Sequence, residues 1–122
     1  MITLSNGKEL GTKIVRLDFT KAVSGDPVSP DTLMWTLLDG VGNIVNSQEQ
    51  VEVAVPESTV YIVLAGDDLA SGLTDSSRKR RLVIEATYTE TIGGTEFTEL
   101  PIHEAAEFDI EELPYIGEAA AV

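Results

Sequence analysis

Residues suited to chemistry are few in this chain, and their spacing organises none of them. His103 is the single histidine, and alternation along its segment puts it on the outward face of a strand, beside Glu104. One imidazole among dispersed carboxylates matches no zinc spacing, and no serine or cysteine arrangement offers a nucleophile. Asp31, Asp39, Asp67, Asp68 and Asp75 fall in turn-rich segments, where carboxylates can gather around a hard cation or pair for glycoside cleavage. The local pattern supports neither. In "DGVGN" (39–43) Val41 takes a ligand position of a calcium loop, Ile44 stands where the glycine belongs and Gln50 where the bidentate glutamate belongs. The glycines of "GTK", "GDD" and "IGGT" form no phosphate-binding pattern and precede no long helix. Trp35, Tyr61, Tyr88 and Tyr115 are the material for an aromatic sugar platform, but Trp35 shares strand parity with Leu33 and Leu37, which assigns it to a core. No catalytic, metal or cofactor residue is therefore assigned, and the chain reads as a non-enzyme.

One dense basic cluster stands out: Arg78, Lys79, Arg80 and Arg81, in a chain of formal net charge −13. It is the candidate docking motif. Parity divides it, however. Arg80 goes with Leu82 and Ile84, at the rim of the core face, while Lys79 and Arg81 go with Val83 and Glu85 on the opposite face. A cluster split across a sheet makes a poor platform for nucleic acid and a good pair of charged gatekeepers for the apolar run "LVIEATY" that follows. Docking to a protein partner remains its functional alternative.

The charge is also unevenly distributed. After Arg81 there is no lysine or arginine, while Glu85, Glu90, Glu96, Glu99, Glu104, Glu107, Asp109, Glu111, Glu112 and Glu118 make ten acids. Such a field repels phosphate backbones and anionic lipid, so neither nucleic acid nor a membrane is an expected partner. The absence of cysteine removes disulfides and thiolate sites. No stretch has the run of apolar residues that a signal peptide or a membrane helix needs, so the protein is expected to be soluble and not secreted through a cleaved signal.

The elements that must carry these residues are strands. "KIVRLDFT" (13–20), "TLMWTLLD" (32–39), "VEVAV" (51–55) and "RLVIEATYTE" (81–90) alternate with period two. "IVNSQ" (44–48) is predicted to return antiparallel to 32–39, and "STVYIVLA" (58–65) to be buried on both faces. Asp67 or Asp68 is placed to cap a helical turn near 67–71. A three-residue loop at Ile92-Gly93-Gly94 would set Ala86 against Leu100, Ile84 against Ile102, and Arg80 and Arg81 near Glu104 and its acidic neighbours, with an edge or bulge at Pro101. "EFDIEEL" (107–113) adds a last strand. The whole predicts an all-β fold, a Greek-key β-sandwich of about six to eight strands over residues 1–113, with a small closed barrel as the rival and a loose tail over 114–122.

"TLMWTLLDGVGNIVNSQEQVEV", "STVYIVLAGDDLA" and "RRLVIEATYTETIGGTEFTELPIHEAAEFDIEEL", in that order, resemble the immunoglobulin-like β-sandwich proteins and modules of bacteriophage and prophage virions. The resemblance spans about residues 13–113 and carries no invariant functional residue. It implies a structural subunit, at the head-to-tail connection or in the tail, that docks on other virion structural proteins and on copies of itself in a ring. A carbohydrate-binding or adhesion-type sandwich is the alternative.

Overall fold

A computed structural model describes residues 2–70 and 78–111. It is all-β apart from one short 3₁₀ turn, with two sheets in a sandwich-like arrangement. The strands are β1 (Ile2–Thr3), β2 (Gly7–Lys8), β3 (Thr12–Asp18), β4 (Thr32–Asp39), β5 (Val51–Glu52), β6 (Thr59–Ala65), β7 (Lys79–Ile92) and β8 (Thr95–Glu111), with the 3₁₀ turn over Gly66–Leu69. The larger sheet runs β1-β8-β7-β4-β5, with β2 also on β8; the smaller is the antiparallel ribbon β3-β6.

Alternation decides which side chains fill the space between the layers. Leu33, Trp35 and Leu37 of β4, Leu82, Ile84, Ala86 and Tyr88 of β7, and Phe108 and Ile110 of β8 meet Val15 of β3 and Val60, Ile62 and Leu64 of β6 in one buried cluster. Each fully buried large apolar side chain of this kind stabilises the fold by about 1.5–3 kcal/mol. The parities predicted for 13–19, 32–39, 81–90 and 107–111 are those observed. "TEFTELPI" and "EFDIEEL" belong to a single continuous strand, β8.

Two expectations about short strands need correction, and two strands are new. The return strand at 44–48 is reduced to a Leu38–Ile44 bridge and two backbone bonds to Leu37, because Asn46 and Ser47 take left-handed backbone angles (φ 52° and 57°) that no strand tolerates. "VEVAV" pairs with β4 only at Val51 and Glu52. At the other end of the chain, two very short strands that alternation does not reveal, β1 and β2, lie parallel to β8. Gly7 in β2 is there for space: a Cβ would sit 3.2 Å from the Phe108 ring.

The long hairpin differs most. Its turn is the two-residue Gly93-Gly94, both at positive φ (60° and 83°), with Ile92 opposite Thr95. Carried along the ladder unbroken, that register would oppose Tyr88 to Glu99 and Ala86 to Pro101. A bulge prevents it: Glu99 takes φ 56°, β8 inserts one extra residue between the Tyr88 and Glu90 pairs, and beyond it Tyr88 faces Leu100 and Ala86 faces Ile102. Ile84 then faces Glu104, and Arg80 and Arg81 face Phe108 and Glu107.

Candidate docking surfaces and the buried arginine

The basic cluster is dispersed by its strand. Lys79 lies 3.4 Å from Asp109 and 3.9 Å from Glu107, and Arg81 lies 3.5 Å from Glu107, all on the outer face of the large sheet. Their cross-strand acids are thus Glu107 and Asp109, acidic neighbours of Glu104, while Glu104 itself lies opposite Ile84. Arg78 lines a shallow cleft with Lys79, Asp109 and Ile110.

Arg80 is not at the rim. It is only 3% exposed, and its guanidinium donates to the carbonyls of Asp68, Ala70 and Lys79. Burial lowers its pKa from the ordinary value, against the attraction of Asp39 and Asp68. The guanidinium therefore fastens the end of the 3₁₀ turn to the core face of β7.

Asp68 completes this clasp. Its Oδ1 accepts from Asn46 Nδ2 (2.9 Å) and Gln48 Nε2 (3.0 Å), and its Oδ2 accepts from the backbone N–H of Ala65 (3.1 Å). It reaches back from the third position of the 3₁₀ turn to the residue that precedes the turn; neither Asp67 nor Asp68 is itself the N-cap. The left-handed angles at Asn46 and Ser47 thus have a consequence: they turn segment 46–48 toward the buried carboxylate instead of along β4.

Two of the remaining loop acids, Asp39 and Asp31, also have bonds within the fold. Asp39 Oδ1 accepts the backbone N–H groups of Val41 (2.9 Å), Gly42 (3.0 Å) and Asn43 (3.0 Å). These bonds, that of Asn43 first, hold its carboxyl below the ordinary range, helped by Arg80 and opposed by desolvation. Asp31 accepts from Thr89 Oγ1 at 2.7 Å, and Asp75 lies outside the described residues. Among the described residues no group of three or more His, Cys, Asp or Glu is placed to hold a metal ion. His103 is exposed on β8 opposite Glu85.

One cleft between the layers, of about 220 Å³, brings two carboxylates together: Asp18 and Glu104, over Leu17, Phe19, Ile84 and Ile102. Asp18 is held below the ordinary carboxyl range, chiefly by the Thr59 hydroxyl and further by Arg16, with desolvation opposing. A general acid needs the opposite shift.

Trp35 and Tyr88 are buried, which removes them from any surface platform; Tyr115 lies outside the described residues. Tyr61 is not buried. "STVYIVLA" presents Val60, Ile62 and Leu64 to the core, while Tyr61 and Val63 stand 60% and 56% exposed on the other face, contrary to the expectation of burial on both. Ile14 faces Val63 across the ribbon and Arg16 faces Tyr61. Ile14, Tyr61 and Val63 thus form a cross-strand apolar patch on the outer side of the thinner layer. A strand apolar on both faces is normal between two layers and unusual in an outer one. That two-sidedness was the available signal, since periodicity alone cannot say which faces are covered.

The hairpin tip is the second unburied region. The core-face parity of β7 runs to Glu90, whose carboxylate is buried and accepts long bonds from the backbone of Val23 and Ser24. Beyond it residues 91–99 are all exposed, including Ile92 and Phe97. Neither feature was identified from the sequence.

No family model, curated protein or solved structure matches this chain. Among the described residues no helix is long and apolar enough to cross a membrane.

Proposed function

We propose that the chain is a non-catalytic docking subunit of a bacteriophage or prophage virion, at the head-to-tail connection or in the tail. The observation that supports docking is the exposed apolar face of the β3-β6 ribbon, Ile14, Tyr61 and Val63, on an otherwise heavily charged molecule. The acids and the buried arginine bear on the same reading from the other side, because the bonds they make hold turns and strands together. The virion context rests on the order of sequence segments that resemble such modules. Light scattering over a wide concentration range, with capture of phage head and tail proteins on the immobilised chain, tests the reading. A protein that stays monomeric and captures none of them overturns it.

The exposed ring of Tyr61 is what a carbohydrate-binding reading would stand on. A glycan array decides that alternative: binding abolished by Tyr61→Ala would displace the docking role.

A further inference from the structure

Resting on the docking reading above, we propose that β6 is a strand-pairing edge and that its occupant is β6 of a second copy, the two running antiparallel about a two-fold axis so that both ribbons become one continuous sheet. The direction of the peptide groups defines the edge. Phe19 N–H donates to the Ser58 carbonyl and Gly66 N–H to the Gly11 carbonyl. With Ile14 opposite Val63 and Arg16 opposite Tyr61, the hydrogen-bonded pairs of the ribbon are therefore those of Lys13, Val15 and Leu17. The peptide groups of Thr59, Tyr61 and Val63 point away from β3, and no third strand of the described residues lies beside them. Ala65, next in the same outward series, gives its N–H to Asp68, which ends the open run at Val63.

The other open edges of the described residues are obstructed, and this one is not. β8 is unpaired on its outer side until β1 meets it at Ala106, but there the bulge at Glu99 and Pro101, which has no N–H, break any added ladder. β5 is only two residues long, and the free edge of β3 carries Arg16 and Asp18. "TVYIVLA" has no charge, proline or glycine, and its register with β3 is unbroken. An edge of that composition is a template for another strand. A second copy matches it in side chains as well as backbone. Centred on Tyr61, the antiparallel copy sets Thr59 opposite Val63 and Tyr61 opposite Tyr61, so every outward N–H from 59 to 63 meets an outward carbonyl. Aromatic and β-branched cross-strand pairs of this kind stabilise antiparallel sheets. The axis is perpendicular to the sheet, so Val60 and Ile62 keep to the core side and Tyr61 and Val63 to the outer side. Glu57 and Asp67, the nearest acids in sequence, fall outside the paired stretch. The contact uses the same edge on both copies and closes at two, and the apolar face offered to other proteins is doubled.

Sedimentation of the full chain from micromolar to millimolar concentration, with hydrogen exchange followed amide by amide, tests this. The wild type is expected to dimerise, with the amides of Thr59, Tyr61 and Val63 protected in step with the dimer and those of Ile14 and Arg16, at the opposite edge, exchanging fast throughout. Val63→Pro removes an outward N–H and no bond of the ribbon, and is expected to raise the dissociation constant about tenfold or more. Val63→Ser keeps that N–H and removes only the exposed apolar side chain, so it should weaken the dimer far less. A wild type that stays monomeric, or a dimer whose β6 amides exchange as in the monomer, overturns the proposal. So does a Val63→Ser chain weakened as much as Val63→Pro, because the contact would then lie on the outer face and not along the edge. Should Val63→Pro unfold, the exchange pattern of the wild type decides alone. Protection of those amides only when a virion protein is added would give the edge to a foreign strand, overturning the pairing of copies and leaving the docking reading standing.

Discussion

The two ends of the β7-β8 hairpin follow the same alternation and come to opposite states. At the base, Arg80, Leu82 and Ile84 on one strand and Phe108 and Ile110 on the other are buried, and the outer face is laced by Lys79, Arg81, Glu107 and Asp109. At the tip, Ile92 and Phe97 keep the core-face parity but no layer lies over them among the described residues. What separates the ends is the smaller sheet: β3 and β6 are seven residues each, against fourteen and seventeen for β7 and β8. A period-two pattern specifies a face, and only the length of the opposing layer decides whether that face is covered.

The largest effect should come from Arg80. Arg80→Ala removes the donor to three carbonyls and leaves Asp39 and Asp68 without the cation that faces them. Breaking a buried charged contact of this kind costs about 3–5 kcal/mol, whereas Phe97→Ala at the exposed tip should change stability by no more than about 0.5 kcal/mol. Urea unfolding of the two variants measures the contrast. Arg80→Met should recover little, because the carbonyls of Asp68, Ala70 and Lys79 would still lose their donor. A loss below about 1 kcal/mol for Arg80→Ala would show that the two ends are not energetically distinct.

The junction between the ends is the bulge, and Glu99 is its strained residue. A non-glycine residue in the left-handed region carries about 1–2 kcal/mol of steric cost, part of which glycine returns as extra freedom in the unfolded chain. Glu99→Gly should therefore raise stability by roughly 0.5–1 kcal/mol, read as a higher urea midpoint at unchanged slope. Destabilisation instead would mean that the Glu99 side chain, not its backbone, holds the register.

How much of this was legible beforehand follows the same division. The buried parities of 13–19, 32–39 and 81–90 were readable because each strand has one covered face. The hairpin register was not, because a single bulge moves every pair beyond it by one residue, and nothing in "TEFTELPI" marks Glu99 as left-handed. Arg80's parity was readable, but its depth was not: two of its three partners are carbonyls of a turn some ten residues upstream, which only the fold brings near. The ribbon's outer face was misread for a third reason. Tyr61 and Val63 have the composition of buried residues, and whether a second layer covers them is a property of the whole molecule.

The smallest effect should come from the rest of the basic cluster, and it bears on what that cluster is for. Replacing Arg78, Lys79, Arg80 and Arg81 together would confuse two roles, since Arg80 alone is part of the core. Lys79→Gln with Arg81→Gln isolates the surface part. Both side chains are more than a third exposed and face Glu107 or Asp109 at 3.4–3.9 Å, so each pair is worth less than about 1 kcal/mol and weakens with salt. The double variant should melt within a few degrees of the parent, a gap that narrows as salt is added. It should, however, aggregate faster on refolding, because "LVIEATY" loses the charges that flank it while the chain is open. Parent-like refolding together with lost self-association or lost capture of virion proteins would instead identify Lys79 and Arg81 as docking residues, and the base of the hairpin would then be a binding surface.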